Sequence, residues 1–354
     1  MRKATNPNTP VTAKDIGREL GLSQPTVSRV LAGAKGHRVS TETSRRVFEA
    51  ADRMGYRPNA IARSLRRRRT NVVGFYTGHH YLDARNAFLA SLIGGLQRAG
   101  DAHELDILLH GVFRGRTSDA VFAELMDGRV DGLFVHTHAD DPLVERLRDS
   151  SLPIVAIADA IPGIPTVVCD DADGIRQLID YLWSQGHRRI AYLKPFQEFY
   201  SVEMRAQAFV AELNGRGASR ASCPVISIDL ENASAVLPLL RKKVDHPTAV
   251  CCWNDMAAYD LLHACYLAGV SVPEDLAVAG FDGFLDPRLT PCPLVTVAAS
   301  WEAVAECAMA HLVRQINGDG DEAEPERGPF PPIHSEEVII LSRLPVTLVP
   351  GATA

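Results

Sequence analysis

In the first sixty residues the apolar positions recur three and four apart, the period of short helices. Thr12-Ala13-Lys14-Asp15 has the hydroxyl and carboxylate of a capping box and predicts a helix start, with Ile16 and Leu20 on its inward face. Gly21 suits a tight turn that needs positive φ, and Leu22 fills the core beneath it. Ser23 can cap a second helix whose first turn contains Pro25, where a missing N–H costs nothing. Val27, Val30 and Leu31 face inward, which leaves Gln24, Thr26, Ser28 and Arg29 on or near the outward face. Val39-Ser40-Thr41-Glu42-Thr43 opens a third helix through Val47 and Ala51 to Met54. Gly55-Tyr56-Arg57-Pro58-Asn59 breaks it, and Asn59 can cap a short fourth helix from Ala60 to Arg66 with Leu65 near its end.

From Val72 onward the pattern changes to short β-branched runs alternating with amphipathic stretches. Strands are expected over Val72–Tyr76, Leu105–Leu109, Val130–His136, Pro153–Ala158, Arg189–Leu193, Pro224–Ile228, Ala249–Trp253 and Leu276–Phe281. Helices are expected over Ala87–Ala99 and Asp119–Met126. Such alternation predicts parallel sheets wrapped by helices. The stretch is too long for one small sheet, so two lobes are expected. Asp319–Arg327, rich in acids, Gly and Pro, reads as a surface loop. The expected fold is an α-helical helix-turn-helix head on a two-lobed α/β body. The expected boundaries are 10–58 for the head, 59–70 for a hinge helix and basic linker, and 71–350 for the body.

Charge divides the chain at the same place. The first 70 residues hold 16 Lys/Arg against 5 Asp/Glu, a net of +11. The remaining 284 hold 21 against 38, a net of −17. A basic head on an acidic body fits a duplex-DNA binder whose sensing is done elsewhere in the chain. The first residues, Met1-Arg2-Lys3-Ala4-Thr5, carry no apolar signal run, and no segment approaches a membrane span. The seven cysteines show no C-x-x-C pair, which points to reduced thiols and a cytoplasmic setting.

The outward face of the second helix carries chemistry that DNA needs. Arg can pair bidentately with guanine, Gln with adenine, and hydroxyls can hold phosphate oxygens. A plain helical hairpin with a solvated face would have the same inward pattern, so this segment alone leaves both readings open. Thr26-Val27-Ser28-Arg29-Val30-Leu31, then Val39-Ser40, then Gly55-Tyr56-Arg57-Pro58-Asn59, in that order, closely resembles the lactose/galactose-repressor family of bacterial regulators. The resemblance implies that the second helix enters the major groove. It also implies that the fourth helix pairs with its dimer mate in the minor groove and inserts Leu65 between base pairs, an apolar wedge that kinks the duplex. Asn59 and Arg63 join Gln24, Thr26, Ser28 and Arg29 as expected DNA contacts. The loop Ala32–Arg38 is longer than the family pattern, and Ala32-Gly33 replaces a customary Asn; Lys35, His37 and Arg38 could supply the loop's backbone contacts.

The body carries further resemblances: Val130-Asp131-Gly132, Gly186-His187-Arg188-Arg189-Ile190, Asn254-Asp255, and Val272-Pro273-Glu274-Asp275-Leu276 leading into Gly280-Phe281-Asp282. They imply an effector domain similar to periplasmic sugar-binding proteins. The chain would cross between lobes near Asp170, Leu294 and Pro331, and a small molecule would bind between the lobes at the carboxyl ends of strands. Position by position, the implied effector residues are His79, Phe88, His136, Asp173, Arg205, Asn254, Asp282 and Trp301. Carboxylates, an amide and an arginine around an aromatic plate suit a sugar or sugar derivative.

Competing classes are an enzyme with a DNA-targeting head and a transporter's solute-binding protein. The chain has no G-x-G-x-x-G, Walker A, G-x-S-x-G or H-E-x-x-H motif. His79, His80, His136 and His138 follow no zinc spacing, so neither metal nor cofactor is expected. The resulting expectation is a non-enzymatic, cytoplasmic transcription regulator. Its partners would be operator DNA, a small-molecule effector and a second copy of itself, with no membrane. Repression is the commoner family mode and activation the alternative, while inducer and corepressor stay open. No leucine-heptad tail follows Thr347, which favours a dimer over a tetramer.

Overall fold

The computed structural model describes residues 11–31, 39–57, 64, 67–78, 86–111, 116–197, 199–219, 221–229, 233–241, 246–284, 293–319, 325–329 and 337–354. Its contacts divide the chain into two units between Thr70 and Asn71.

The first unit contains α1 (Ala13–Leu20), α2 (Gln24–Leu31) and α3 (Thr41–Met54). Thr12 accepts from the Asp15 amide at 3.3 Å, and Asp15 accepts from the Thr12 amide at 3.1 Å, so the capping box is closed. Gly21 ends α1 at φ 67°, the left-handed conformation that a side chain resists. Gly17 lets the following turn come close: a Cβ there would stand 2.7 Å from the Leu22 carbonyl oxygen. Ser40 caps α3, accepting from the Thr43 amide at 3.1 Å. Ile16, Val27, Val30, Val47, Ala50 and Ala51 form the core of this unit.

The second unit has two lobes. The first lobe contains β1 (Val72–Thr77), α4 (Ala87–Ala102), β2 (Asp106–His110), α5 (Ser118–Leu125), β3 (Gly132–His136), α6 (Val144–Arg148), β4 (Ile154–Ile157) and β5 (Pro165–Cys169). The second contains α7 (Asp171–Ser184), β6 (Ile190–Pro195), α8 (Tyr200–Gly215), β7 (Val225–Ile228), α9 (Leu237–Arg241), β8 (Ala249–Cys252), α10 (Asp255–Leu267), β9 (Ala277–Ala279) and β10 (Thr296–Ala299). The last elements are α11 (Trp301–Asn317), β11 (Glu326–Pro329), β12 (Glu337–Leu344) and β13 (Val346–Val349). The first-lobe sheet runs β11-β12-β5-β4-β3-β1-β2 and is parallel except for the β11–β12 pair. The second-lobe sheet runs β7-β6-β8-β9 and is parallel throughout. Central strands such as β3 and β4 are buried along their whole length, as helix-covered parallel strands must be.

The lobe crossings correct two sequence expectations. The first lies at Asp170, as expected, between β5 and α7. The second lies at Ser300 rather than Leu294: β10 still pairs with β13 and bridges to Asp282, whereas α11 packs on α4 and β4. The third lies between β12, which pairs with β5, and β13, which pairs with β10; it falls at the Leu344–Val346 junction rather than near Pro331. Apolar runs alone do not say which sheet a late strand joins. Glu326 and Arg327, expected in a surface loop, belong to β11.

Candidate functional site

In the head, Ser23 meets the Thr26 hydroxyl at 2.8 Å and accepts from its amide at 3.4 Å, which starts α2. The inward face of α2 is spent on Val27 and Val30. Gln24 and Arg29 are exposed, and Thr26 and Ser28 are half-buried. Asn59, Arg63 and Leu65 lie outside the described residues, as does His79.

Between the lobes, polar groups converge at the carboxyl ends of strands. Arg205, in the second turn of α8, is only 2% exposed. Its Nε donates to Asp171 Oδ1 at 2.7 Å, its Nη1 donates to the Trp253 carbonyl at 2.6 Å, and Nη1 lies 3.7 Å from Asp282 Oδ1. The guanidinium carbon sits 3.6 Å above the Phe281 ring, a cation–π arrangement. Asp171 is 0% exposed and Asp282 6%. Burial pushes both carboxyls above the ordinary range, against the pull of Arg205. Burial also works against the Arg205 charge, but Asp171 and Asp282 outweigh it and hold the guanidinium above its usual value.

The backbone is strained where it presents these groups. Asp282 has φ 118°, and Ala158, just before Asp159, has φ 72°; both are costly for residues with a Cβ. The turn at Asp282 is held by Asp255, which accepts from the Phe284 amide at 2.6 Å and from the Thr296 hydroxyl at 2.5 Å. Burial pushes the Asp255 carboxyl up to about 7.

The first lobe contributes an aromatic wall. Trp301, at the start of α11 and 3% exposed, meets Phe88 edge-on at 4.8 Å between ring centroids. Phe88 lies 5.1 Å from the His136 ring, and His136 stacks on Phe199 of the second lobe at 6.0 Å and 10°. His136 Nδ1 is 3.2 Å from the Ile157 carbonyl, and burial holds its pKa below the usual histidine value. Asp159, at the end of β4, accepts from the Ser201 amide of α8 at 2.8 Å, a direct bond between lobes.

The structure thus joins Phe88, His136 and Trp301 in one aromatic group and Arg205 with Asp282 in a charged one, with Asp159, 3.8 Å from His136, between them. Two expected residues sit differently. Asp173 accepts from Arg176 and Gln177 of its own helix, and Asp171 takes the place at Arg205 instead. Asn254 caps α10, accepting from the Ala257 amide at 2.9 Å. Asp159, Asp171, Phe199 and Ser201 were not expected from the sequence. A signal for Asp171 was present: it shares the apolar helix face of Ile175, Leu178 and Leu182, whereas Asp173 falls with Arg176 and Asp180. Among the described residues, no group of three or more His, Cys, Asp or Glu could hold a metal ion. No helix among them is long and apolar enough to cross a membrane.

Comparison with known proteins agrees with this architecture. The family model "Bacterial regulatory proteins, lacI family" matches residues 12–59, and "Periplasmic binding protein-like domain" matches 179–334. Catabolite control protein A of Priestia megaterium is 27% identical, covering 87% of this chain and 93% of its own. The regulator GalS of Salmonella typhimurium is 29% identical, covering 84% and 88%. In structure, the chain is similar to the Lac repressor dimer bound to operator and an anti-inducer, with TM-score 0.77, 20% identity and coverage of 98% and 99%. It is also similar to the regulator CelR in complex with cellobiose, with TM-score 0.67, 24% identity and coverage of 97% and 100%. With a helix-turn-helix head, a two-lobed parallel-sheet body and both matched models in their expected places, the chain belongs to the lacI family of bacterial regulatory proteins.

Proposed function

We propose that this DNA-binding transcription regulator is a cytoplasmic repressor of a catabolic operon whose operator affinity is switched by a sugar or sugar derivative held between its lobes. It acts as a homodimer on operator DNA. Gln24, Thr26, Ser28 and Arg29 read or position the major groove. Leu65, flanked by Asn59 and Arg63, wedges into the minor groove. In the body, Arg205 and Asp282 engage the effector's polar groups, Trp301 and Phe88 cover its apolar face, and His136 closes one end. A cellobiose complex among the solved neighbours supports the ligand class.

The observation that carries this reading is the Ser201–Asp159 bond beside the buried Arg205–Asp171–Asp282 cluster. Groups from both lobes meet where a ligand would touch them, so a ligand there has different contacts in different lobe arrangements. Such differential contact is what shifts a two-state equilibrium. The test is an electrophoretic mobility shift of the full chain on fragments of its own genome, with and without a neutral sugar panel. At least one sugar should change the shift, and Asp282→Asn should bind the same fragment without responding. An Asp282→Asn protein that keeps its full response would overturn the site.

A further inference from the structure

We infer that the interlobe site accepts an uncharged hydroxylated ligand and rejects its carboxylated or phosphorylated counterpart, because Asp171 already occupies Arg205. The inference rests on the effector site proposed above and narrows its ligand.

An anion entering this cluster needs a cation that can turn toward it. The charge of Arg205 is already balanced: its Nε donates to Asp171 at 2.7 Å, its Nη1 donates to the Trp253 carbonyl at 2.6 Å, and Asp282 lies 3.7 Å away. Two cations that reach α8, at Glu203 and Tyr200, are engaged too. Lys194 pairs with Glu203, and Arg343 with Glu326. A ligand carboxylate at Arg205 would have to displace Asp171, leaving that wholly buried group without its countercharge, or join it and Asp282 as a third acidic group on one cation. It would also stand beside Asp282, a second acidic group with no cation other than Arg205 within salt-bridge distance among the described residues.

The groups still seeking partners point the other way. Asp171 Oδ2 is buried and has no hydrogen-bond partner; it can accept from a donor. The indole nitrogens of Trp301 and Trp253 are likewise buried and unpartnered, and each can only donate. Hydroxyl groups satisfy both demands because each can donate and accept. A carboxylate or phosphate only accepts, and would leave Asp171 Oδ2 unmet. The edge-on Trp301–Phe88 pair adds a surface suited to the C–H face of a sugar ring.

The test uses the full-length protein and matched pairs: D-galactose against D-galacturonate, D-glucose against glucose 6-phosphate, and adenosine against its 5′-monophosphate. Thermal shift and calorimetric titration are run at equal concentrations. At least one neutral member should raise the melting temperature, with its acidic partner at least about tenfold weaker. Asp171→Asn, which frees Arg205, should narrow that gap by at least about tenfold. An acidic member that binds the wild type as well as its neutral partner overturns this inference and leaves the effector site standing. Silence from every compound in every pair overturns the effector site, and the inference with it. An Asp171→Asn protein that is folded by circular dichroism yet keeps the original gap overturns the role of Asp171. If that variant does not fold, the wild-type preference decides.

Discussion

In the head, Gln24 and Arg29 stand in solvent on a helix whose other face is packed, whereas between the lobes Arg205, Asp171 and Asp282 are almost wholly removed from water. The contrast separates two ways of building a recognition surface. On α2, the side chains proposed to read DNA stand outside the core of the head, which is made by Ile16, Val27 and Val47. Between the lobes, the same residues that would touch a ligand also balance one another's charge, and the backbone at Asp282 is strained to present them. Changing a base contact should therefore leave folding intact, while changing the interlobe cluster should disturb folding and sensing together.

The largest expected effect tests that coupling. Arg205→Ala leaves Asp171 and Asp282 buried without a cation, so it should destabilise the body by about 3–5 kcal/mol in urea titration. An unchanged midpoint would break the comparison, since the cluster would then contribute no more than surface residues do. Next, Arg29→Ala should cost about 1–3 kcal/mol of affinity for the best operator and relax preference at one base pair. Its unfolding midpoint should match the wild type, and a loss of stability would show that α2 is not free to specialise in recognition.

The pH dependence sharpens the interlobe side. Burial raises the folded pKa of Asp255 to about 7, against an ordinary carboxyl value of 3.8. The folded state therefore holds a proton that the unfolded state has released. That stability is fully present below the unfolded value and is lost as pH rises through about 7. On going from pH 8 to 6.5 the body should gain stability by at most about 1.4 kcal/mol per pH unit for this one proton. Asp255→Asn should flatten that slope. Below about pH 6.5, His136 opposes the trend, because its folded pKa is depressed and the unfolded chain takes up the proton first. The smallest effect is at Asp173. Its exposed partnership with Arg176 should be worth less than about 0.5 kcal/mol, and Asp173→Asn should respond to effector like the wild type. A lost response there would return the role from Asp171 to Asp173.

Much of the head was legible before any coordinates. Thr12, Gly21, Ser23 and Ser40 each meet a local need, a cap or a left-handed turn, that the neighbouring residues alone reveal. Strands β1 to β4 and β6 to β9 were legible too, as short apolar runs, whereas β5 and β10 to β13 were not expected. The site was legible only in part. Arg205, Asp282, Trp301, Phe88 and His136 follow from resemblance at the ends of elements. Asp171, Asp159, Phe199 and Ser201 do not, because their roles depend on partners between 34 and 63 residues away.

By itself the sequence determined the three helices of the head and most of the early strands of the body, where the basic head ends and the acidic body begins, and which face of α2 is left in solvent. Those properties are set by hydrophobic period, capping and local charge, and each acts over a few residues. The tertiary structure alone decided that β13 returns to the second lobe, that the crossing lies at Ser300, and that Asp171 rather than Asp173 meets Arg205. Three acidic residues in four positions look alike along the chain. Only the packing of α7 against α8 puts one of them out of water, and a buried carboxylate must find a cation where an exposed one need not.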